Sequence, residues 1–124
     1  MTLPKRALTN FDLMKFIDWL KIPHFRGVFM RDNLPKKIRS KECGIINLDL
    51  DKNMGTHWTC YVKNGSKVIY FDSFGDLRPP TEVIKYFRTE KPCSIYFNYN
   101  RYQNFNTINC GHLCLQFLYD QMIE

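Results

Sequence analysis

The chain has no stretch long and apolar enough to cross a membrane. Its longest run without Asp, Glu, Lys or Arg, residues 102–119, still holds two Gln, three Asn, a Thr and a His, groups that hydrocarbon cannot solvate. The opening residues Met1-Thr2-Leu3-Pro4-Lys5-Arg6 lack the apolar core of a secretion signal, which points to an intracellular protein. A disulfide framework is also missing. The five cysteines, Cys43, Cys60, Cys93, Cys110 and Cys114, are odd in number and have no paired spacing, so reduced thiols are expected. There is no internal repeat, no low-complexity tract and no glycine-rich phosphate loop, which weakens any kinase or dehydrogenase reading. Residues 49–55 begin like a calcium loop, but the glycine comes one position late and Cys60 stands where the loop needs Glu. Cys110, His112 and Cys114 lack zinc spacing and have no second half-site. No metal site is expected.

What is present suits one compact domain spanning residues 1–124. Hydrophobic residues make up 44% of the chain, with ten Phe, seven Tyr and two Trp, enough for a real core. The net charge of +6 is uneven: residues 1–62 carry 11 Lys/Arg against 6 Asp/Glu, and residues 63–124 carry 7 against 6. Most of the excess lies in Arg26, Arg31, Lys36, Lys37, Arg39 and Lys41, which face a lone Asp32. Such a cluster favours polyanions such as DNA through counterion release. A solvated loop that keeps the chain soluble has the same composition.

Helical spacing of Leu13, Phe16, Ile17 and Leu20 predicts a helix over residues 10–21, capped by Thr9 or Asn10 with Asp12 in its first turn and ended before Pro23. The basic stretch 26–40 reads as loop. Strands are expected over 44–50, 57–63, 67–72 and 94–99, with helices over 81–88 and 110–122. Asn64-Gly65 is a strong hairpin signal. The sum is an α+β fold with an antiparallel-rich central sheet rather than a βαβ nucleotide fold.

Cys110 opens the last helix, where free N–H groups and the positive end of the helix dipole stabilise a thiolate. Gly111 allows close backbone approach, and the Cys110 N–H points to where an oxyanion would form. His57 stands at a strand start, a position for a base at a sheet edge. A turn centred on Asn64-Gly65 places His57 directly opposite Asp72, with Cβ atoms roughly 4.5–5.5 Å apart. An ordinary cross-strand ion pair would have the same register.

Gly55-Thr56-His57-Trp58, Phe71-Asp72-Ser73-Phe74-Gly75, and Gln103 seven residues before Cys110-Gly111 resemble the adenovirus-type cysteine endopeptidases (adenain), whose clan includes the ubiquitin-like-protein proteases. The resemblance is nearest to the short proteases of Polinton/Maverick elements and related viruses. It extends over the opening helix, Phe25-Arg26-Gly27-Val28-Phe29 and Cys43-Gly44-Ile45-Ile46-Asn47. It implies a papain-like/adenain-like fold with Cys110 as nucleophile, His57 as general base and later acid, Asp72 orienting His57, and the Gln103 amide as oxyanion donor. Trp58 would pack beside the site or in the core. Cleavage after small residues at Gly-Gly-like sites is implied, on capsid or other precursor proteins of a virus or virus-derived element, in the host nucleus or the virion. An isopeptidase for ubiquitin-like modifiers and a non-catalytic nucleic-acid-binding domain are the alternatives. The resemblance also raises an activating peptide joined through Cys93 and a DNA cofactor on Arg26, Arg31, Lys36, Lys37, Arg39 and Lys41. A buried small hydrophobe is the competing reading of Cys93.

Overall fold

The computed structural model describes residues 3–48, 57–102 and 109–123. Helix α1 (Asn10–Leu20) starts where Thr9 closes a capping box: its hydroxyl accepts from the Asp12 N–H at 3.2 Å, and its own N–H donates to Asp12 at 2.9 Å. Two of the four orphan N–H groups near the helix start are satisfied in this way. Lys21 ends the helix in a left-handed conformation (φ 56°). Leu13, Phe16 and Ile17 form its buried stripe.

Five strands form one sheet in the order of the chain: β1 (Phe25–Met30), β2 (Lys41–Asn47), β3 (Trp58–Asn64), β4 (Lys67–Phe71) and β5 (Ser94–Phe97). The two central junctions are antiparallel, and the edge strands β1 and β5 run parallel to their neighbours. Helix α2 (Thr81–Phe87) carries the chain from β4 to β5, and α3 (Cys110–Met122) follows the sheet. Strand β1 corrects the expected loop over 26–40. Its six residues are all half-buried, so its sequence shows none of the in–out alternation that marks a strand.

The hairpin register is also corrected. Asn64 pairs with Lys67 and Cys60 with Phe71, so Gly65-Ser66 is the turn centre, not Asn64-Gly65. Gly65 alone takes the left-handed conformation (φ 63°); Asn64 stays in the strand. The pairing slips by two residues, which preserves the face each side chain points to. His57 and Asp72 therefore lie just outside the ladder rather than as a direct pair.

The sheet separates two apolar layers. On one face α1 and α3 cover Cys43, Ile45, Trp58, Cys60 and Phe71; on the other α2 covers Ile46, Tyr61, Val68 and Tyr70. Leu115 and Gly111 join Cys114 and Leu118 on the buried side of α3, while Leu113, Phe117 and Met122 are only partly covered. Deep in the second layer, the buried Glu42 carboxylate accepts from Tyr61 (2.5 Å), Tyr86 (2.7 Å), Arg26 (2.9 Å) and the Arg39 N–H (2.8 Å). A buried charge needs partners of this kind. Among the described residues no helix is long and apolar enough to cross a membrane.

Candidate active site

The start of α3 is pressed onto β3. A Cβ at Gly111 would sit 3.2 Å from the Leu8 side chain and 3.3 Å from the Trp58 ring, so glycine lets the helix end approach. The Cys110 sulfur accepts the Trp58 N–H at 3.3 Å, and the Cys114 thiol one turn later donates to the Trp58 carbonyl at 3.4 Å. Two thiols thus satisfy one strand residue, whose indole N–H is taken by the Leu8 carbonyl at 2.9 Å.

His57, one residue before β3, turns its ring towards the end of β4. Its Nε2 lies 2.8 Å from Asp72 Oδ1. The same carboxylate oxygen accepts the Phe74 N–H at 3.0 Å, and Asp72 is 1% exposed. Nδ1 of His57 is buried without a hydrogen bond of standard geometry, and the Cys110 thiol is close enough to act on the ring electrostatically. Burial works against the imidazolium, but Asp72 and then Cys110 outweigh it and raise the His57 pKa to about 9. The Phe74 ring, quoted in the sequence only as part of a motif and given no role there, lies on the imidazole face: centroids are 4.2 Å apart and the planes 6° from parallel. Its place in the motif, two residues after Asp72, was the signal that could have found it.

Cys110, His57 and Asp72 are therefore brought together from three elements. Gln103, the expected oxyanion donor, lies outside the described residues, as do Gly55, Thr56 and residues 49–55. Cys93 is not at this site. It precedes Ser94, which pairs with Lys67 at the start of β4, whereas Asp72 follows the other end. Cys93 is half-buried against the second apolar layer, and burial raises its thiol pKa. All five cysteines are free thiols.

The six basic residues do not form one uniform patch. Arg26 is turned inward to Glu42 and to the Lys37 carbonyl, with 19% of its side chain exposed, and Arg31 lies 3.7 Å from Glu82. Lys36, Lys37, Arg39 and Lys41 are exposed. The Ile38 N–H donates to Thr89 (2.8 Å) and the Ser40 hydroxyl to Glu90 (2.9 Å), which sets the exposed Lys85, Arg88 and Lys91 beside them. Among the described residues no three His, Cys, Asp or Glu side chains gather into a group able to hold a metal.

No protein-family model and no curated protein matches this chain. Solved structures do. The SUMO protease Ulp1, with its catalytic cysteine oxidized to a sulfinic acid, superimposes with a TM-score of 0.64 at 15% identity, over 97% of this chain and 68% of that one. The ASFV pS273R protease gives 0.60 at 14% identity, over 96% of this chain and 59% of that one. At 14–15% identity the likeness to these two proteases is one of fold, and it does not single out the Polinton/Maverick enzymes. Over nearly its whole length, the chain has the α+β fold of the papain-like/adenain-like cysteine proteases.

Proposed function

We propose that the chain is a cysteine peptidase with Cys110 as nucleophile, His57 as general base and acid, and Asp72 as the residue that orients His57. The observation that carries this reading is the convergence of a helix-start thiol, a half-buried imidazole and a buried carboxylate from distant segments. With the Nε2 proton held by Asp72, Nδ1 of His57 takes the proton of the Cys110 thiol and leaves a thiolate beside an imidazolium. The thiolate attacks the scissile carbonyl, and the Cys110 N–H and the Gln103 amide stabilise the oxyanion. Collapse of the adduct breaks the C–N bond as His57 gives its proton to the leaving amine. Water then attacks the thioester, losing its proton to His57, and the acid leaves with Cys110 restored.

The substrate reading favoured is a ubiquitin-like-protein conjugate or precursor ending in Gly-Gly. It is supported by the likeness to a SUMO protease, which has the higher TM-score of the two structures. The second reading, cleavage of viral or virus-derived precursors at Gly-Gly-like sites, is favoured by the likeness to a viral protease and by the resemblance to the Polinton/Maverick enzymes. The basic surface around Lys36, Lys37 and Arg39 would serve a DNA cofactor under either reading, and Cys93 would be the attachment point of an activating peptide.

The first test is alkylation of the thiols by iodoacetamide near pH 6, mapped by mass spectrometry, with His57→Ala as control. Fast modification of Cys110, lost in the control, is expected; equal reactivity of all five cysteines overturns the reading. Hydrolysis of a ubiquitin-like conjugate compared with a Gly-Gly peptide separates the two substrate classes.

A further inference from the structure

We infer that Asn98 is a positioning residue for the Asp72–His57 pair, its side-chain carboxamide fixing the backbone from which the Asp72 carboxylate reaches the imidazole. The inference rests on the role proposed for that pair. Strands β4 and β5 pair in parallel as far as Tyr70 and Phe97. One residue further, the carboxamide of Asn98 replaces the ladder. Its Oδ1 accepts the Asp72 N–H at 2.9 Å, and its Nδ2 donates to the Asp72 carbonyl at 2.7 Å and to the Asn100 carbonyl at 3.0 Å. Both main-chain polar groups of Asp72 are thus held by one side chain. The orientation of the amide is dictated by its partners, since an N–H must face the oxygen and a carbonyl the nitrogen.

The backbone of Asn98 adds a third tie, its carbonyl accepting the Asp76 N–H at 2.9 Å, and the Tyr102 N–H closes the other side on Ser73 at 2.7 Å. Between these ties the loop passes so close to Asn100 that a Cβ at Gly75 would lie 2.6 Å from its carbonyl oxygen. Residues 72–76 carry two of the partners of His57, the Asp72 carboxylate and the Phe74 ring, so what holds this loop sets the imidazole. Only a planar group with an acceptor and a donor at this length spans Asp72 in both directions. Asp has no donor when ionised, Leu has neither group, and the Ser hydroxyl is too short. Displacements of about 1 Å in a supporting group lower turnover by about 100-fold.

The test is Asn98→Leu, similar in size and unable to hydrogen-bond, with Asn98→Ser as the second variant. Val83→Ala, at a buried position on α2, serves as a destabilised control. The titratable groups that act on the His57 charge are Asp72 from the end of β4 and Cys110 from α3, and the neighbouring Asp76 and Arg101 are exposed; none of these changes. The His57 pKa, followed by ring-proton NMR, is expected to fall by about one unit in the Asn98 variants and to stay put in Val83→Ala. Hydrolysis should lose about 10- to 100-fold in kcat with KM within about twofold. A folded Asn98 variant with the parent's His57 titration overturns the inference. If neither variant folds, the parent decides: its Asn98 Nδ2 protons should exchange slowly and shift as His57 titrates, and a freely exchanging, unresponsive carboxamide overturns the inference. Because the NMR arm needs no turnover, an inactive parent would count against the peptidase reading alone.

Discussion

The imidazole of His57 lies flat on the phenyl ring of Phe74, with centroids 4.2 Å apart, while the Phe74 N–H donates to the carboxylate that holds the same imidazole. One residue thus covers the histidine and braces its partner. Its ring stacks on one face of the imidazole and, if the ring is protonated, presents a π-face to the charge.

Phe74→Ala keeps the N–H and removes the ring. An aromatic contact of this kind contributes about 0.5–1.5 kcal/mol, so turnover should fall roughly two- to tenfold and the His57 pKa should drop. Phe74→Leu, which restores cover without the π-face, should recover part of the turnover. NMR titration and kcat measured on the same samples check both statements.

The pH dependence follows from His57. Its pKa is raised from 6.5 to about 9 in the folded chain, burial opposing the charge and Asp72 and Cys110 overriding it. A group raised on folding stabilises fully below its unfolded value, and that contribution is lost as pH rises through the folded value. Thermal stability should therefore decline between about pH 6.5 and 9 in the parent and far less in His57→Ala. Hydrolysis should decline through about pH 9 as the proton donor for the leaving amine disappears. An alkaline limb centred near 6.5 instead would contradict the ion pair.

Asp72→Asn keeps the shape of the contact and removes its charge. Comparable changes in catalytic triads cost up to about 10⁴-fold in kcat, so a loss between about 100- and 10,000-fold is expected here. The same variant should bring the His57 pKa down, and circular dichroism should show the fold retained.

Glu42 has a different part. Its carboxylate joins β1, β2, β3 and α2 through Arg26, Tyr61 and Tyr86, and burial followed by the carboxylate's charge keeps the Tyr61 phenol protonated well beyond its usual range. Glu42→Ala strands a largely buried guanidinium and two phenols, which should cost about 3–5 kcal/mol of stability. The readout is the urea midpoint. Selective Cys110 alkylation should survive at low temperature, because the Glu42 carboxylate bonds to Arg26, Arg39, Tyr61 and Tyr86 and not to Cys110, His57 or Asp72.

The basic surface gives a salt-dependence test. Replacing Lys36, Lys37 and Arg39 together by Ala should flatten the plot of log affinity for duplex DNA against log salt by about two to three units, near 0.9 for each phosphate left without its cation. Arg26→Ala should instead lower the melting temperature, because its guanidinium is committed to Glu42. Equal slopes for the parent and the triple variant would remove this surface as a DNA site.

Much of the architecture was legible because its causes are local. Thr9 and Asp12 cap α1 within four residues, Gly65 marks a turn, and the apolar spacing after Cys110 sets α3. The two differences have causes that are not local. Strand β1 carries Arg26 and Gly27 and is half-buried throughout, so it lacks a periodic signal; its conformation comes from pairing with β2, whose partners lie 17 or 18 residues away in sequence. The hairpin was displaced by two residues because Asn and Gly both tolerate positive φ, and only packing decided that Gly65 alone would adopt it.

The sequence by itself determined the α+β class and the order of most elements, and it pointed to Cys110, His57 and Asp72, which the structure brings close together. Tertiary structure alone decided how those residues are held: the Phe74 ring on His57, the Asn98 carboxamide on Asp72, the Trp58 N–H on Cys110 and the turning inward of Arg26. Caps, turns and periodicity act between residues a few positions apart and so leave their mark in sequence. A clasp between Asn98 and Asp72, or a contact between Trp58 and Cys110, exists only after the sheet has closed and α3 has docked, when burial makes each unpaired polar group costly.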